Sequence, residues 1–140
     1  MAAIKRTPAD IAFSLCIRES FDWTCNRCGK RHEEKSQGLH CSHHYGRGNW
    51  SIRFEPMNAE SLCYGCHQLE GGTQIRIDAC LDEQQQGVLL EKKNDSTLGR
   101  LIRRTKGKGE IAKHYRQEYE KLLQQRSEGA TGRLTFVGWQ

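Results

Sequence analysis

Two closely spaced cysteine pairs constrain the fold of this chain more than any other feature. Cys25 and Cys28 form one C-x-x-C motif, Cys63 and Cys66 form a second one, and 34 residues separate the two motifs. Two such pairs are typical of a tetrahedral structural zinc site, with zinc–sulfur bonds of about 2.3 Å. A redox-active C-x-x-C requires a thioredoxin-like strand–helix–strand context, which this sequence lacks. The spacing therefore predicts a zinc-stabilised core.

The composition supports a metal as a source of stability. A chain of 140 residues has the size of one domain, and its hydrophobic fraction of 36% with a mean hydropathy of −0.80 leaves little material for a large apolar core. No apolar run reaches the ~18 residues of a membrane helix, and the first residues lack a signal-peptide pattern. We therefore expect a cytoplasmic protein that does not bind membranes, located in the host cytoplasm if it is phage-encoded, with its cysteines reduced.

The remaining cysteines differ in what surrounds them. Cys16 and Cys80 lie in apolar helical patterns and are expected to be small core residues. Cys41 has no clear assignment from the sequence.

Helix signals flank the cysteine-rich centre. Thr7, Pro8 and Asp10 predict a helix start, and the apolar pattern continues to about Ser20. Residues 23–72 are rich in Cys, His and Gly, and further helices are predicted at about 73–91, within 94–109 and at 110–126. We predict a single domain over 1–126, with a metal core at about 23–72, a basic helical part at about 73–126 and a tail at 127–140.

The positive charge is concentrated in one stretch. The net charge is +5, and between Lys92 and Arg116 nine basic residues stand against two acidic ones, so this stretch carries +7 and the rest of the chain −2. Such a concentration favours a polyanion partner, most plausibly a nucleic acid. The alternative is a solvated surface.

The residues between the two cysteine pairs resemble the motif of HNH nucleases. His43 and His44 are followed 14 positions after His44 by Asn58, and His67 lies nine positions beyond, directly after the second C-x-x-C. This resemblance implies a ββα-metal fold, in which a hairpin and a short helix hold one divalent cation. It also implies that His44 is the general base, that Asn58 steadies the loop and the base, that His67 is a metal ligand and that His43 occupies the other ligand position. Alternatively, a histidine such as His67 could replace a zinc cysteine.

A second resemblance covers more of the chain. The segment 10–30, the elements His44-Tyr45, Arg47-Gly48 and Arg53-Phe54, Asn58 with the second C-x-x-C, and more weakly 110–125, resemble the phage lambda NinG family, also called Rap. The resemblance implies a zinc-stabilised, metal-dependent endonuclease that acts on branched DNA such as Holliday junctions and D-loops. The chain has His67 where that family usually has Asn, and His43 where it usually has Gly. Both differences move the motif toward the general HNH pattern.

Together these features predict an α+β fold with a small zinc-stabilised ββα-metal (HNH) core, flanked by N- and C-terminal helices. The expected function is phosphodiester hydrolysis in branched DNA during recombination, with structural Zn²⁺ and catalytic Mg²⁺ or Mn²⁺. One alternative is a general HNH nicking or restriction-type endonuclease. The other is a zinc-ribbon DNA-binding protein without catalysis.

Several side chains are candidates for DNA contacts, because arginine suits phosphate oxygens and an aromatic ring can stack on an unpaired base. They are Arg47, Trp50, Arg53, Arg100, Arg103, Arg104, Lys106 and Lys108. The apolar residues at helical spacing between Ile111 and Leu122 could pair across a two-fold axis in a homodimer, or pack on the chain's own core. His32, His40 and His114 are expected to be surface or local structural residues.

Overall fold

The computed structural model of the chain describes residues 5–69, 71–105 and 109–140. Two strands and six α-helices lie within these ranges: α1 (Pro8–Ser20), β1 (Leu39–His43), β2 (Ala59–Cys63), α2 (Tyr64–Gln68), α3 (Thr73–Cys80), α4 (Glu83–Lys93), α5 (Ser96–Thr105) and α6 (Glu110–Ser127). Single 3₁₀ turns at Trp50–Ile52 and Pro56–Asn58 lie between the strands. The predicted α+β class is confirmed.

Helix α1 begins where the sequence predicts. The Thr7 hydroxyl accepts a hydrogen bond from the Asp10 N–H at 3.3 Å, and the Asp10 carboxylate accepts one from the Thr7 N–H at 2.7 Å. Pro8 occupies the first turn, where a backbone donor would have no helical partner. These signals are local, so they could be recognised without knowledge of the fold.

The strands form one antiparallel pair, followed at once by a short helix. Leu39 pairs with Cys63 and His43 with Ala59, and α2 starts at the next residue after β2. Side chains of a strand alternate between its two faces. His43 lies on the face toward α1, where its ring centroid is 5.8 Å from that of Phe13. Ser42 and its partner Glu60 therefore occupy the opposite face.

Helices α1 and α6 pack together and form the main apolar core. Ile111, Tyr115 and Leu122 on α6 are fully buried, and the Cys16 thiol donates a hydrogen bond to the Tyr115 carbonyl at 3.1 Å. Tyr119 is half-buried, and its hydroxyl donates to the Glu34 carboxylate at 3.1 Å. Ile111, Tyr115 and Leu122, which were considered for a homodimer, thus pack within the chain, and the homodimer itself stays a prediction.

The C-terminal segment, which the sequence suggested to be a tail, is docked on this core. The backbone N–H of Leu134 donates to Ser20 O at 2.8 Å, that of Val137 to the Glu118 carboxylate at 2.8 Å, and that of Trp139 to the Tyr115 hydroxyl at 2.9 Å. The segment forms no regular element, but its backbone donors find partners on α1 and α6.

The helical region after the hairpin differs from the single helix predicted at 73–91. Helix α3 ends at Cys80, and α4 starts after Asp82, whose carboxylate accepts from the Gln85 N–H at 2.7 Å while the Gln85 side chain accepts from the Asp82 N–H at 2.9 Å. This capping box starts a new helix, whereas Gly87 is accommodated inside α4. In the described ranges, no helix combines the length and the apolar character needed to cross a bilayer.

Candidate functional site

The two cysteine pairs come together as the spacing predicts. Cys25 and Cys28 lie in the loop after α1, Cys63 ends β2 and Cys66 lies in α2. Their four sulfur atoms lie within 4.8 Å of one another. The four side chains could hold one metal ion.

The local geometry of this cluster suits a metal with thiolate ligands. The Cys28 and Cys63 sulfur atoms are 3.8 Å apart, too far for a disulfide. That distance is about what four ~2.3 Å zinc–sulfur bonds at tetrahedral angles require. The N–H groups of Cys28 and Cys66 point at the sulfur atoms of Cys25 and Cys63, at 3.5 Å and 3.4 Å.

These backbone donors also favour the thiolate form. Burial by itself raises the pKa of the Cys25 thiol, but backbone N–H groups of Cys28, Cys63 and Arg27 outweigh burial and bring this pKa down to about 6. Because the thiolate is the form that binds metals, this shift favours binding of a soft or borderline cation such as zinc at Cys25, whereas the neighbouring sulfur atoms raise the pKa of Cys66.

A cleft of about 700 Å³ lies beside β1 and combines imidazoles with positive charge. Three of the residues that line it are histidines, namely His40, His43 and His67. Four others carry positive charge, namely Arg6, Arg18, Lys35 and Arg47. The lining carboxylate, that of Asp10, is engaged by Arg53 at 3.0 and 2.6 Å and by Thr7. An anion entering the cleft would therefore meet a positive environment.

The imidazoles of His40 and His67 converge in this cleft. Their Nδ1 atoms are 3.0 Å apart, and the ring of His40 also approaches Tyr64. The sequence predicts His43 and His67 as the metal ligands and His40 as a surface or local structural residue. The structure instead brings His40 to His67, because both α2 and the first half of β1 lie at the same end of the hairpin.

His43 and His44 point in different directions. His43 lines the cleft, and its Nε2 donates to the Arg53 carbonyl at 3.0 Å. His44, the predicted general base, has a side chain that is 0% exposed, and its Nδ1 lies 3.8 Å from the Glu60 carboxylate instead of in the cleft. Burial and the charge of Arg76 lower the pKa of His44 to about 4. His44 is neutral near pH 7, as a base must be, but its ring does not line the cleft.

Asn58 fixes the loop between the strands. Its side-chain oxygen accepts from the Tyr45 N–H at 3.0 Å, and its side-chain nitrogen donates to the carbonyls of Tyr45 and Ile52 at 2.9 and 3.2 Å. The side chain is completely buried. This arrangement agrees with the loop-steadying role that the HNH resemblance implies, although Asn58 contacts no histidine ring in these bonds.

One of the predicted DNA contacts, Arg53, is buried, and another, Trp50, has one face of its ring covered. The Arg53 guanidinium is 0% exposed and forms two hydrogen bonds to the Asp10 carboxylate. It also lies 4.1 Å from the centre of the Trp50 ring, and Trp50 is half-buried against the core. The Arg53 prediction is therefore corrected: a buried ion pair removes this side chain from phosphate binding. One face of Trp50 is likewise covered.

The other candidates keep access to solvent where they are described. Arg47 is half-buried and lines the cleft, whereas Arg100, Arg103 and Arg104 are exposed on α5. Lys106 and Lys108 lie outside the described residues. DNA binding by these side chains stays a prediction.

Sequence reasoning missed His40 in the cleft, and it missed that Glu60 and Cys80 surround His44. The only signal for His40 is its position four residues before His44 on a predicted hairpin. In an extended segment, neighbouring side chains such as those of His43 and His44 point to opposite sides. This difference follows from the sequence as soon as β1 is recognised.

Comparison with protein-family models, with curated proteins and with solved structures finds no match to this chain in any of the three.

Proposed function

We propose that this chain is a metal-dependent DNA endonuclease that hydrolyses phosphodiester bonds in the histidine-lined cleft, with zinc in the four-cysteine cluster as a structural element. The observation that supports the proposal is the cleft itself. Three imidazoles and four cationic side chains meet there beside a strand–strand–helix segment, which has the order that the HNH resemblance implies.

The cleft imidazoles suit proton transfer at neutral pH. Burial lowers the pKa of His43, and burial together with the neighbouring His67 lowers the pKa of His40. Both rings are therefore neutral near pH 7 and have a lone pair. We assign the general base to His43 in place of His44, because His43 lines the cleft. Its hydrogen bond to the Arg53 carbonyl holds the ring in one orientation.

The donors in the cleft favour a transition metal over Mg²⁺. Among the described residues, His40 and His67 would hold such an ion through imidazole nitrogen, which suits zinc, iron or nickel better than magnesium. The carboxylate of Asp10 is already engaged by Arg53. These donors therefore fit the expected Mg²⁺ or Mn²⁺ poorly. When bound, a metal here would polarise a phosphate oxygen.

The positive side chains suggest DNA as the substrate. Arg18 and Arg47 line the cleft, and the exposed arginines of α5 offer further phosphate contacts. The preference for branched DNA, such as four-way junctions, comes from the resemblance to the NinG family. The same cleft would serve an HNH nicking enzyme that acts on ordinary duplex.

A cleavage assay tests this proposal. Purified protein is incubated with duplex, nicked and four-way-junction DNA in Mg²⁺, Mn²⁺, Zn²⁺ or Ni²⁺, and DNA binding is measured separately by fluorescence anisotropy. We expect cleavage that is lost in His67→Ala and retained in His32→Ala, a matched control outside the cleft. Binding without cleavage under every condition would refute the enzyme and support the zinc-ribbon DNA-binding alternative. Equal cleavage of duplex and junction would refute the branched-DNA preference.

A further inference from the structure

A second group of metal-ligating side chains lies away from both the four-cysteine cluster and the cleft. His44 follows β1, Glu60 lies on β2 and Cys80 ends α3. One ligand atom from each lies within 4.8 Å of the others. The hairpin brings His44 near Glu60, and α3 reaches the hairpin through hydrogen bonds from Arg76 to the Ser42 hydroxyl at 2.6 Å and from Cys80 to Glu60.

The imidazole of His44 lacks the hydrogen bonds that a buried polar group normally makes. Its side chain is 0% exposed, and neither ring nitrogen has a hydrogen-bond partner among the described residues. Buried polar atoms without partners are rare and call for an explanation, and binding of an ion is one way to satisfy them. The Glu60 carboxylate is 3.8 Å from Nδ1, which is too far for a hydrogen bond.

We propose that His44, Glu60 and Cys80 form a second metal site, which takes a divalent transition metal such as zinc. One nitrogen, one oxygen and one sulfur ligand suit zinc and not the hard cations Mg²⁺ or Ca²⁺. The Cys80 thiol now donates to the Glu60 carboxylate at 2.6 Å. On metal binding, the thiol proton passes to solvent and the thiolate, the carboxylate and the imidazole share the ion.

The surroundings leave a route to the site. Glu60 and Cys80 line a cavity of about 370 Å³ between α1, the end of α3 and the C-terminal segment. A metal entering from this cavity would have three protein ligands and a fourth position open to water or a small anion. Arg76 and Arg133 place positive charge near Cys80, and the thiolate and carboxylate offset it.

This proposal does not depend on nuclease activity, and cobalt gives a direct test. Protein is loaded with one equivalent of Zn²⁺ to fill the four-cysteine cluster with a spectroscopically silent ion, and metal content is verified by elemental analysis. Co²⁺ is then titrated in. Imidazoles in the cleft cannot give thiolate-to-cobalt absorption, so such a band would report a cysteine outside the zinc-filled cluster.

We expect the absorption band in the wild type and its complete loss in Cys80→Ser. Cys41→Ser is the control, because Cys41 is a half-buried cysteine outside the four-cysteine cluster and the proposed second site, and it should keep the band. Glu60→Gln should weaken Co²⁺ binding tenfold or more, as expected when one of three ligands loses its charge, and circular dichroism verifies that each variant is folded. Absence of the band in the wild type, or its survival in Cys80→Ser, would overturn the site. Neither outcome bears on the cleavage assay.

Discussion

The four-cysteine cluster and the histidine cleft are built in different ways. In the cluster, each C-x-x-C supplies two candidate ligands from a single turn of the chain, so the fold needs to bring only two units together. In the cleft, His40, His43 and His67 come from two strand faces and a helix, and their convergence depends on strand alternation and packing. Local spacing is therefore a reliable guide to the first site, whereas only the fold defines the second.

The largest expected effect is the loss of folding stability when the four-cysteine cluster is disrupted. Cys63→Ser should release the metal and unfold the segment around the hairpin, because structural zinc contributes about 10 kcal/mol of folding free energy. Zinc content and thermal unfolding followed by circular dichroism measure this. Cys41→Ser is the matched control and should cost about 1 kcal/mol. Equal stability of the two variants would show that the cluster carries no structural metal.

The second prediction compares Arg53 with Arg47, since the sequence predicts both as phosphate contacts. Arg53→Ala should lower the free energy of unfolding by about 3–5 kcal/mol, since it leaves the Asp10 carboxylate buried without its partner. Arg47→Ala should change stability by less than about 0.5 kcal/mol but weaken DNA binding. Urea unfolding and anisotropy provide the two measurements. Loss of binding in Arg53→Ala without loss of stability would restore its role as a phosphate contact.

The third prediction uses the neighbours His43 and His44. His43→Ala should lower the cleavage rate about 100-fold or more with the fold unchanged, as expected for loss of a general base. His44→Ala should retain cleavage under conditions where it is folded, because its ring lies outside the cleft. Rates at saturating DNA, together with thermal unfolding, distinguish the two. Retained cleavage in His43→Ala together with lost cleavage in His44→Ala would identify His44 as the general base.

The smallest effect concerns α5, which lies apart from both sites. If its exposed arginines contact phosphates, replacing Arg100, Arg103 and Arg104 with Gln should lower the slope of log affinity against log salt by about 2.7, at about 0.9 per contact. Turnover at saturating DNA should stay unchanged. A matched pair of changes on α6, Lys113→Gln and Arg116→Gln, should leave the slope as it is. An unchanged slope in the α5 variant identifies a solvated surface.

The sequence predicts those parts of the fold whose signals are local. The Thr7–Asp10 capping box and the buried apolar positions of α6 are confirmed, as is the meeting of the two cysteine pairs. The break between α3 and α4 was missed, because apolar residues lie on both sides of the polar Asp82–Gln85 capping box and were assigned to one helix. Arg53 was misassigned because burial of a charged side chain depends on a partner 43 positions away, which spacing does not reveal.

The contact between α1 and α6 sets an order for folding during synthesis. The bond from the Cys16 thiol to the Tyr115 carbonyl joins residues 99 positions apart, whereas the two cysteine pairs and both strands lie between them in the chain. The ribosome therefore delivers the whole metal-binding segment before α6 exists. If the four-cysteine cluster holds a metal, we expect it to bind that metal first, while the apolar side of α1 stays uncovered and prone to misassociation until α6 emerges. The fraction of newly made chains that reach the native state would then depend on the metal available during synthesis, and less on early formation of the apolar core.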